Sequence, residues 1–446
     1  MLSLAFVSVS CGSTPALAQS IPAQTQSPEA APVPAEENGN AEKALHLIIN
    51  NTEVSVDWED NASVRALTEA VSSGILTVQM SMYGGFEQVG SLGAELPRND
   101  SETTTQAGDI VLYSGNQIVV FYGSNSWAYT RLGRITDKSA EELTALLGNG
   151  DVKLTLTAAP VVFFTANISP EGLQAVYDAL DWQPSGKLAV KVSTGEPPAS
   201  NYLRAELIGP LVQSLHGTIT ECNTAYGGSR SSSAMHRQVA EDHGFTSFAE
   251  FDLLDEEGEA QWPVAGGQRL QHAIVGSHAD NYTDWLILSH FKGHAMAGFG
   301  GAIKNVGIGM SSASGKVYVH SAGTRTSGSI MYRDQDAWLE AMAEMVTAVR
   351  DHVGPEHIRY INVMNRLSVD CDCDGHPAEP DIHDIGILAS ADPVALDQAC
   401  IDLVWQAEGN DALVRRVESK DGLHTLDYAE QIGLGSKSYT LIRLDN

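Results

Sequence analysis

Asp284-Trp285-Leu286-Ile287-Leu288-Ser289 is a short apolar run that leads directly into His290-Phe291-Lys292-Gly293-His294. A run this short and this rich in branched and aromatic residues reads as a buried strand rather than a helix. Residues 187–192 and 358–363 have the same character, whereas residues 334–353 and 394–407 repeat their apolar positions with helical spacing. Strands and helices alternating in this way predict an α/β domain over residues 158–446. Ligands gather beyond the carboxyl ends of such strands, which makes His290 and His294 candidate catalytic or metal-ligating residues. Imidazoles four apart share one face if the chain turns helical there, and two nitrogens then reach one ion. The bland alternative is two histidines lining a cleft. The glutamate of a His-Glu-x-x-His motif is missing, so zinc-protease chemistry is not expected.

Downstream of the histidines, Gly298, Gly300, Gly301, Gly307 and Gly309 surround Lys304. Backbone amides freed by glycine, together with an ammonium, could hold a phosphate or carboxylate, so Gly300, Gly301 and Lys304 are candidate anion or cofactor residues. Their order matches neither a Walker loop nor a dinucleotide fingerprint, and close helix packing explains glycines equally well. Gly227-Gly228-Ser229-Arg230 reads in the same two ways, with Arg230 as the charged member. The acidic run 252–259 reads as a solvated surface turn.

Asp370-Cys371-Asp372-Cys373-Asp374-Gly375-His376 gathers thiols, carboxylates and an imidazole in one segment. Cys371 and Cys373 with Asp372, Asp374 and His376 suit a zinc or iron site, given further ligands such as His290, His294 or Cys222. Spacing alone offers calcium as a rival, because Asp370, Asp372, Asp374, Gly375 and Asp381 fall at positions one, three, five, six and twelve of a calcium loop. A disulfide or a plain structural loop is the third reading. Cys371 and Cys373 are expected to be too close to pair with each other without strain, and pairing of either with Cys222 stays open. Cys400 reads as a core residue, and Asp392 before Pro393 as a helix N-cap.

Upstream of the α/β pattern, residues 45–157 are short strands and turns with one helix near 63–70, and Ser114-Gly115-Asn116 signals a hairpin. Asp60-Asn61, the segment 107–113, the segment 119–123 and Leu132-Gly133-Arg134-Ile135 together resemble the bacterial cyclophilin-like family. That resemblance implies a closed antiparallel β-barrel over residues 43–157. The arginine-centred constellation of prolyl isomerases is not found in these residues, so the barrel is read as an accessory ligand-binding module, with Arg131 and Arg134 as rim or strand residues.

The α/β domain resembles the family called domain of unknown function 362, whose members are often labelled iron-sulfur centre proteins. Residues 290–294, 298–305, 307–309, 314–316 and 371–373, with the run 384–397, carry the likeness. Many members hold a ferredoxin insertion with repeated Cys-x-x-Cys spacing, but residues 318–332 contain no cysteine. An iron-sulfur cluster is therefore not expected.

The apolar start with Ala16-Leu17-Ala18 reads as a signal peptide over residues 1–18, followed by a disordered linker over 19–42, and implies export to the periplasm or beyond. Cys11 as a lipidated cysteine is the rival reading. No run is long and apolar enough to span a bilayer. With 56 acidic against 26 basic residues, a formal charge of −30 repels phosphate backbones, so nucleic acid is not an expected partner. The function these readings imply is a metal-dependent enzyme performing redox or proton-transfer chemistry on a small anionic ligand. Its alternatives are a metal- or disulfide-stabilised binding scaffold and thiol exchange by Cys371 or Cys373.

Overall fold

The computed structural model describes residues 45–72, 74–331 and 334–445. The leader and linker expected over residues 1–42 lie outside these. The chain is multidomain, with a sheet-rich N-terminal region followed by an α/β domain.

In the sheet-rich region the one-residue breaks at Ser55 and Met80 decide the topology. Thr52–Val54 pairs with His46–Ile49, and its continuation Val56–Trp58 pairs with Ser126–Ile135 in a different sheet. Ile75–Gln79 pairs with Lys153–Thr157, and its continuation Ser81–Tyr83 with Glu87–Ser91. Two bent strands are thus shared between a four-stranded and a seven-stranded sheet. The expected hairpin joins Asp109–Tyr113 to Gln117–Phe121, with Ser114 and Gly115 at positive φ. Leu47, Ile49, Leu67, Ile110, Leu112, Ile118 and Leu154 fill the inner core. The alternate residues Val111, Val119, Phe121 and Tyr129 pack on the opposite face of the same strands, as a two-residue period requires. Arg131 and Arg134, both on the strand Ser126–Ile135, reach the buried Asp109.

The α/β domain is built on eight strands, in the spatial order Phe251–Leu253, Thr218–Glu221, Leu188–Lys191, Asp284–His290, Ile358–Met364, Gly386–Ser390, Val161–Thr165 and Thr440–Arg443. All run parallel except Gly386–Ser390, which is antiparallel to both neighbours. Asp284–His290 is buried at every position, which is why it reads as an apolar run rather than an alternation. Each fully buried Leu or Ile in it contributes about 1.5–3 kcal/mol. From Leu188–Lys191 the chain moves outward to Phe251–Leu253, then returns to lay Asp284–His290 on the other side of its starting strand. The order reverses between those two strands, and a crevice opens at such a point beyond the carboxyl ends. Gln335–Val353 and Pro393–Gln406 are the expected long helices, and Asp392 caps the second by accepting from the N–H groups of Val394 and Ala395.

Two local expectations change. The chain does not turn helical at His290: Lys292–His294 is a short strand paired with Gly298–Gly300. Nor is 252–259 simply a surface turn. Asp252 and Leu253 end the edge strand, and Asp252 accepts from Tyr282 and lies 2.8 Å from His278.

Candidate functional site

The crevice at the strand reversal is a cavity of about 220 Å³. Lys191, Ser193, Glu221, Cys222, Ser289 and His290 reach it from strand ends, while Lys304, Lys316 and His320 reach it from the helices Ala302–Gly307 and Ala313–His320. Because 290–294 is extended rather than helical, His290, Lys292 and His294 share one face at two-residue spacing, and all three line the cavity. Cys371, Asp372 and Cys373 close it from the loop after Ile358–Met364.

The charge balance of the lining is unusual for so acidic a chain. Lys191, Arg230, Lys292, Lys304 and Lys316 face only two carboxylates, Glu221 and Asp372. Arg230, 3% exposed, donates to Glu196, Glu221 and the Tyr226 hydroxyl. Burial pushes the Glu221 carboxyl up, but Arg230 and His236 hold it well below the ordinary carboxylate range. Lys292 Nζ donates to the His290 carbonyl and lies 2.9 Å from Asp372 Oδ2, an ion contact without hydrogen-bond alignment. Lys191 donates to the Val192 carbonyl and to Asn305, and Lys316 to the Ser311 carbonyl. Among the described residues, Lys304 alone of these cations has no hydrogen-bond or ion-pair partner. Burial, then Lys292, pushes its amine down to about 7. Burial likewise brings Lys191 to about 8, against the pull of Glu221.

The histidines divide by tautomer. His290 Nδ1 lies 2.8 Å from Asp372 Oδ1 and Nε2 2.6 Å from the Asn365 carbonyl, so both nitrogens face acceptors of the protein. His294 Nδ1 accepts from the N–H groups of Met296 and Ala297, which places the proton of the neutral ring on Nε2. Burial, then Lys304, holds its basicity well below the ordinary value. His320 Nδ1 donates to the Lys316 carbonyl, which leaves the Nε2 lone pair without a hydrogen-bond partner among the described residues, and burial lowers its pKa to about 4. Neutral His320 therefore presents a hydrogen-bond acceptor in the cavity wall.

Both glycine-rich segments already hold a carboxylate of the protein itself. Asp397 accepts from the N–H groups of Ala302 and Ile303 at 2.8 and 3.0 Å, filling the start of the helix that carries Lys304. A Cβ on Gly301 would meet Asp397 Oδ1 at 2.3 Å. In the other loop, Glu196 accepts from the Ser229 N–H and from Arg230, and a Cβ on Gly228 would meet Glu196 Oε1 at 2.8 Å. Gly300 makes room for the Lys304 stem, at 3.2 Å. Gly300, Gly301 and Arg230 all line the cavity, but Gly301 and Arg230 are engaged by internal anions.

Cys371 and Cys373 are joined as a disulfide, and their Cα atoms, 5.2 Å apart, lie within the range that a disulfide bridges. The expectation was that the two would not pair without strain; the structure joins them and leaves Cys222 free. Cys222 and Cys400 are free and buried; burial raises the Cys222 thiol to about 12. Cys371, Cys373 and His294 place their donor atoms within 4.8 Å of one another. Reduction of the disulfide would turn this trio into soft donors of the kind zinc or iron takes, with a metal at His294 Nε2 displacing a proton. The calcium arrangement does not form. Asp370 pairs with Arg416 and accepts from the Ala378 N–H, Asp372 turns to His290 and Lys292, and Asp374 accepts from the His376 N–H. Asp374 and His376 are exposed and do not line the cavity.

Of the residues singled out in the sequence, the structure brings together His290, His294, Lys304, Gly300, Gly301, Arg230, Cys371, Asp372 and Cys373. It adds Lys191, Glu221, Lys292, Lys316 and His320. A lysine and a glutamate ending apolar strands were the signal available for Lys191 and Glu221. His320 had none, since one imidazole in a helix is ordinarily a packed residue.

Residues 188–402 match the family described as domain of unknown function (DUF362), and residues 47–157 match the cyclophilin-like family. Both resemblances drawn from the sequence are thereby matched over the regions expected. No curated protein matches the chain. Among solved structures, the lactate racemase apoprotein from Thermoanaerobacterium thermosaccharolyticum aligns at TM-score 0.35 and 12% identity, covering 54% of this chain and 56% of that one. The chain thus spans little more than half of that structure, and a likeness at this level assigns no activity.

Proposed function

We propose, from the premise of a C-terminal region matching DUF362 and an N-terminal region matching the cyclophilin-like family, that the crevice binds a small carboxylate or phosphate anion and moves a proton on it. The observation that carries this is Lys304, an unpartnered amine in a cavity whose five cationic side chains outnumber its carboxylates. An anion would relieve that repulsion in a site where water screens little. An amine near neutrality both gives and takes a proton at ordinary pH, and His320 Nε2 offers the ligand a hydrogen-bond acceptor. Lys292 and His290 fix Asp372, and His294 presents an N–H to the ligand. With the disulfide reduced, Cys371, Cys373 and His294 would hold zinc or iron, which would polarise a ligand oxygen.

In this reading the shared bent strands close the N-terminal region into a barrel over residues 43–157, and the α/β domain runs over 158–446. The chain is exported by residues 1–18 and tethered through 19–42. A second reading, thiol exchange, is favoured by the Cys371–Cys373 disulfide in the cavity wall.

The test has two steps. Calorimetry with small carboxylates and inorganic phosphate should give one site per chain, lost in Lys304→Met. Nuclear magnetic resonance of a bound hydroxy or keto acid in deuterated buffer should then show C–H to C–D exchange. Binding without exchange for every ligand would leave a scaffold, and no anion binding would remove the reading altogether.

A further inference from the structure

The sheet-rich region carries a second cavity, of about 350 Å³, on the face opposite its core. Glu87 lines it at only 6% exposure. Its Oε2 is buried and has no hydrogen-bond partner among the described residues, and no lysine, arginine or histidine lines the cavity. A buried carboxylate without a donor or a cation is costly and calls for a partner. Burial pushes its pKa up to about 7.

Aromatic residues line the same cavity as that carboxylate. Tyr83 stands directly across the strand pair from Glu87. Tyr113 and Tyr129 meet edge to face at 6.0 Å, and Asn125 donates to the Tyr129 hydroxyl, fixing that ring. Trp127 and Tyr83 are 57% and 67% exposed. Ring faces carry negative potential and attract cations, most strongly when water is excluded. An anion is repelled by Glu87, and a neutral ring stacked on Trp127 would leave the carboxylate unpaired.

We propose that this cavity binds a small organic ammonium ion, with Glu87 as its counter-ion and Tyr83, Tyr113, Trp127 and Tyr129 as its walls. The site is separate from the crevice of the α/β domain, and its ligand has the opposite charge.

Calorimetry on the full chain with choline and n-butylammonium, against the neutral isostere 3,3-dimethylbutan-1-ol, tests it. At least one ammonium should bind one per chain, with the isostere weaker by about tenfold or more. Glu87→Gln and Trp127→Ala should each weaken the ammonium by a similar factor. Affinity should rise with pH through about 7 as Glu87 ionises, since the other titratable groups in the lining are the tyrosines. The isostere comparison uses the unaltered chain and so stands even if a variant misfolds. Equal binding of isostere and ammonium, no binding of either ammonium at millimolar concentration, or full affinity in folded Glu87→Gln would overturn the proposal.

Discussion

His290 Nδ1 lies 2.8 Å from Asp372 Oδ1, joining the end of a central strand to the cysteine loop 82 residues further along the chain. The pair is buried, with Asp372 2% and His290 3% exposed. His290→Ala would leave Asp372 buried without the hydrogen bond to its Oδ1 from the imidazole. We expect a loss of about 3 kcal/mol in denaturant unfolding, with His290→Gln recovering part through its remaining donor. Hydrogen exchange should rise first in residues 370–374. Unchanged stability in the alanine variant would show that the pair does not hold the loop.

Lys304 predicts a pH signature of opposite sign for stability and for binding. Its folded pKa, about 7, lies below the ordinary 10.5, so protonation costs the folded state. That cost is absent above about pH 10.5 and grows as pH falls to 7, below which it is constant. Lys304→Met should therefore be more stable than the parent at pH 6, by about 2 kcal/mol after allowance for partial solvent contact, and no more stable near pH 11. Anion affinity in the parent should fall as pH rises through about 7, because the protonated amine is the form that attracts. Thermal unfolding and calorimetry at matched pH values read both effects.

Gly301→Ala places a methyl group against the Asp397 carboxylate and should cost about 2 kcal/mol or more by displacing the acceptor of two buried N–H groups. Asp397→Asn keeps one acceptor oxygen and should cost less. The reverse ranking in denaturant midpoints would mean that Gly301 serves the ligand rather than Asp397.

Zinc titration of the reduced and the oxidised protein separates the two states of the cysteine pair. A dithiol reductant converts the disulfide to two thiols, and binding then releases protons as thiolates form. One zinc per chain is expected in the reduced protein, none in the oxidised protein, and none in reduced Cys371→Ser. Equal binding in both states would place the metal elsewhere.

The α/β domain was legible because its strands are buried on both faces. Asp284–His290 and Ile358–Met364 stand out as apolar runs against the helical period of Gln335–Val353. Hidden were the features that depend on long-range partners. Gly301 and Gly228 read as open anion loops because nothing local to them reveals Asp397 or Glu196. Sequence separation left the state of Cys371 and Cys373 open between metal and disulfide, because the backbone path that sets their Cα distance is not local to the motif. His290 and His294 both line the cavity, with extended two-residue spacing placing them on one face where a helical turn had been the expectation.

Val161–Thr165 lies between Gly386–Ser390 and Thr440–Arg443 in the sheet. The Ser390 hydroxyl donates to the Val161 carbonyl across 229 positions, and the Thr157 and Thr440 hydroxyls meet across 283. At about 5–20 residues per second, a ribosome takes tens of seconds to deliver either neighbour. During synthesis the sheet-rich region can complete its pairings while the apolar strand just after it waits with both edges open. The nascent chain therefore carries an adhesive segment for most of its time on the ribosome. Chaperone demand should end only when the last strand emerges.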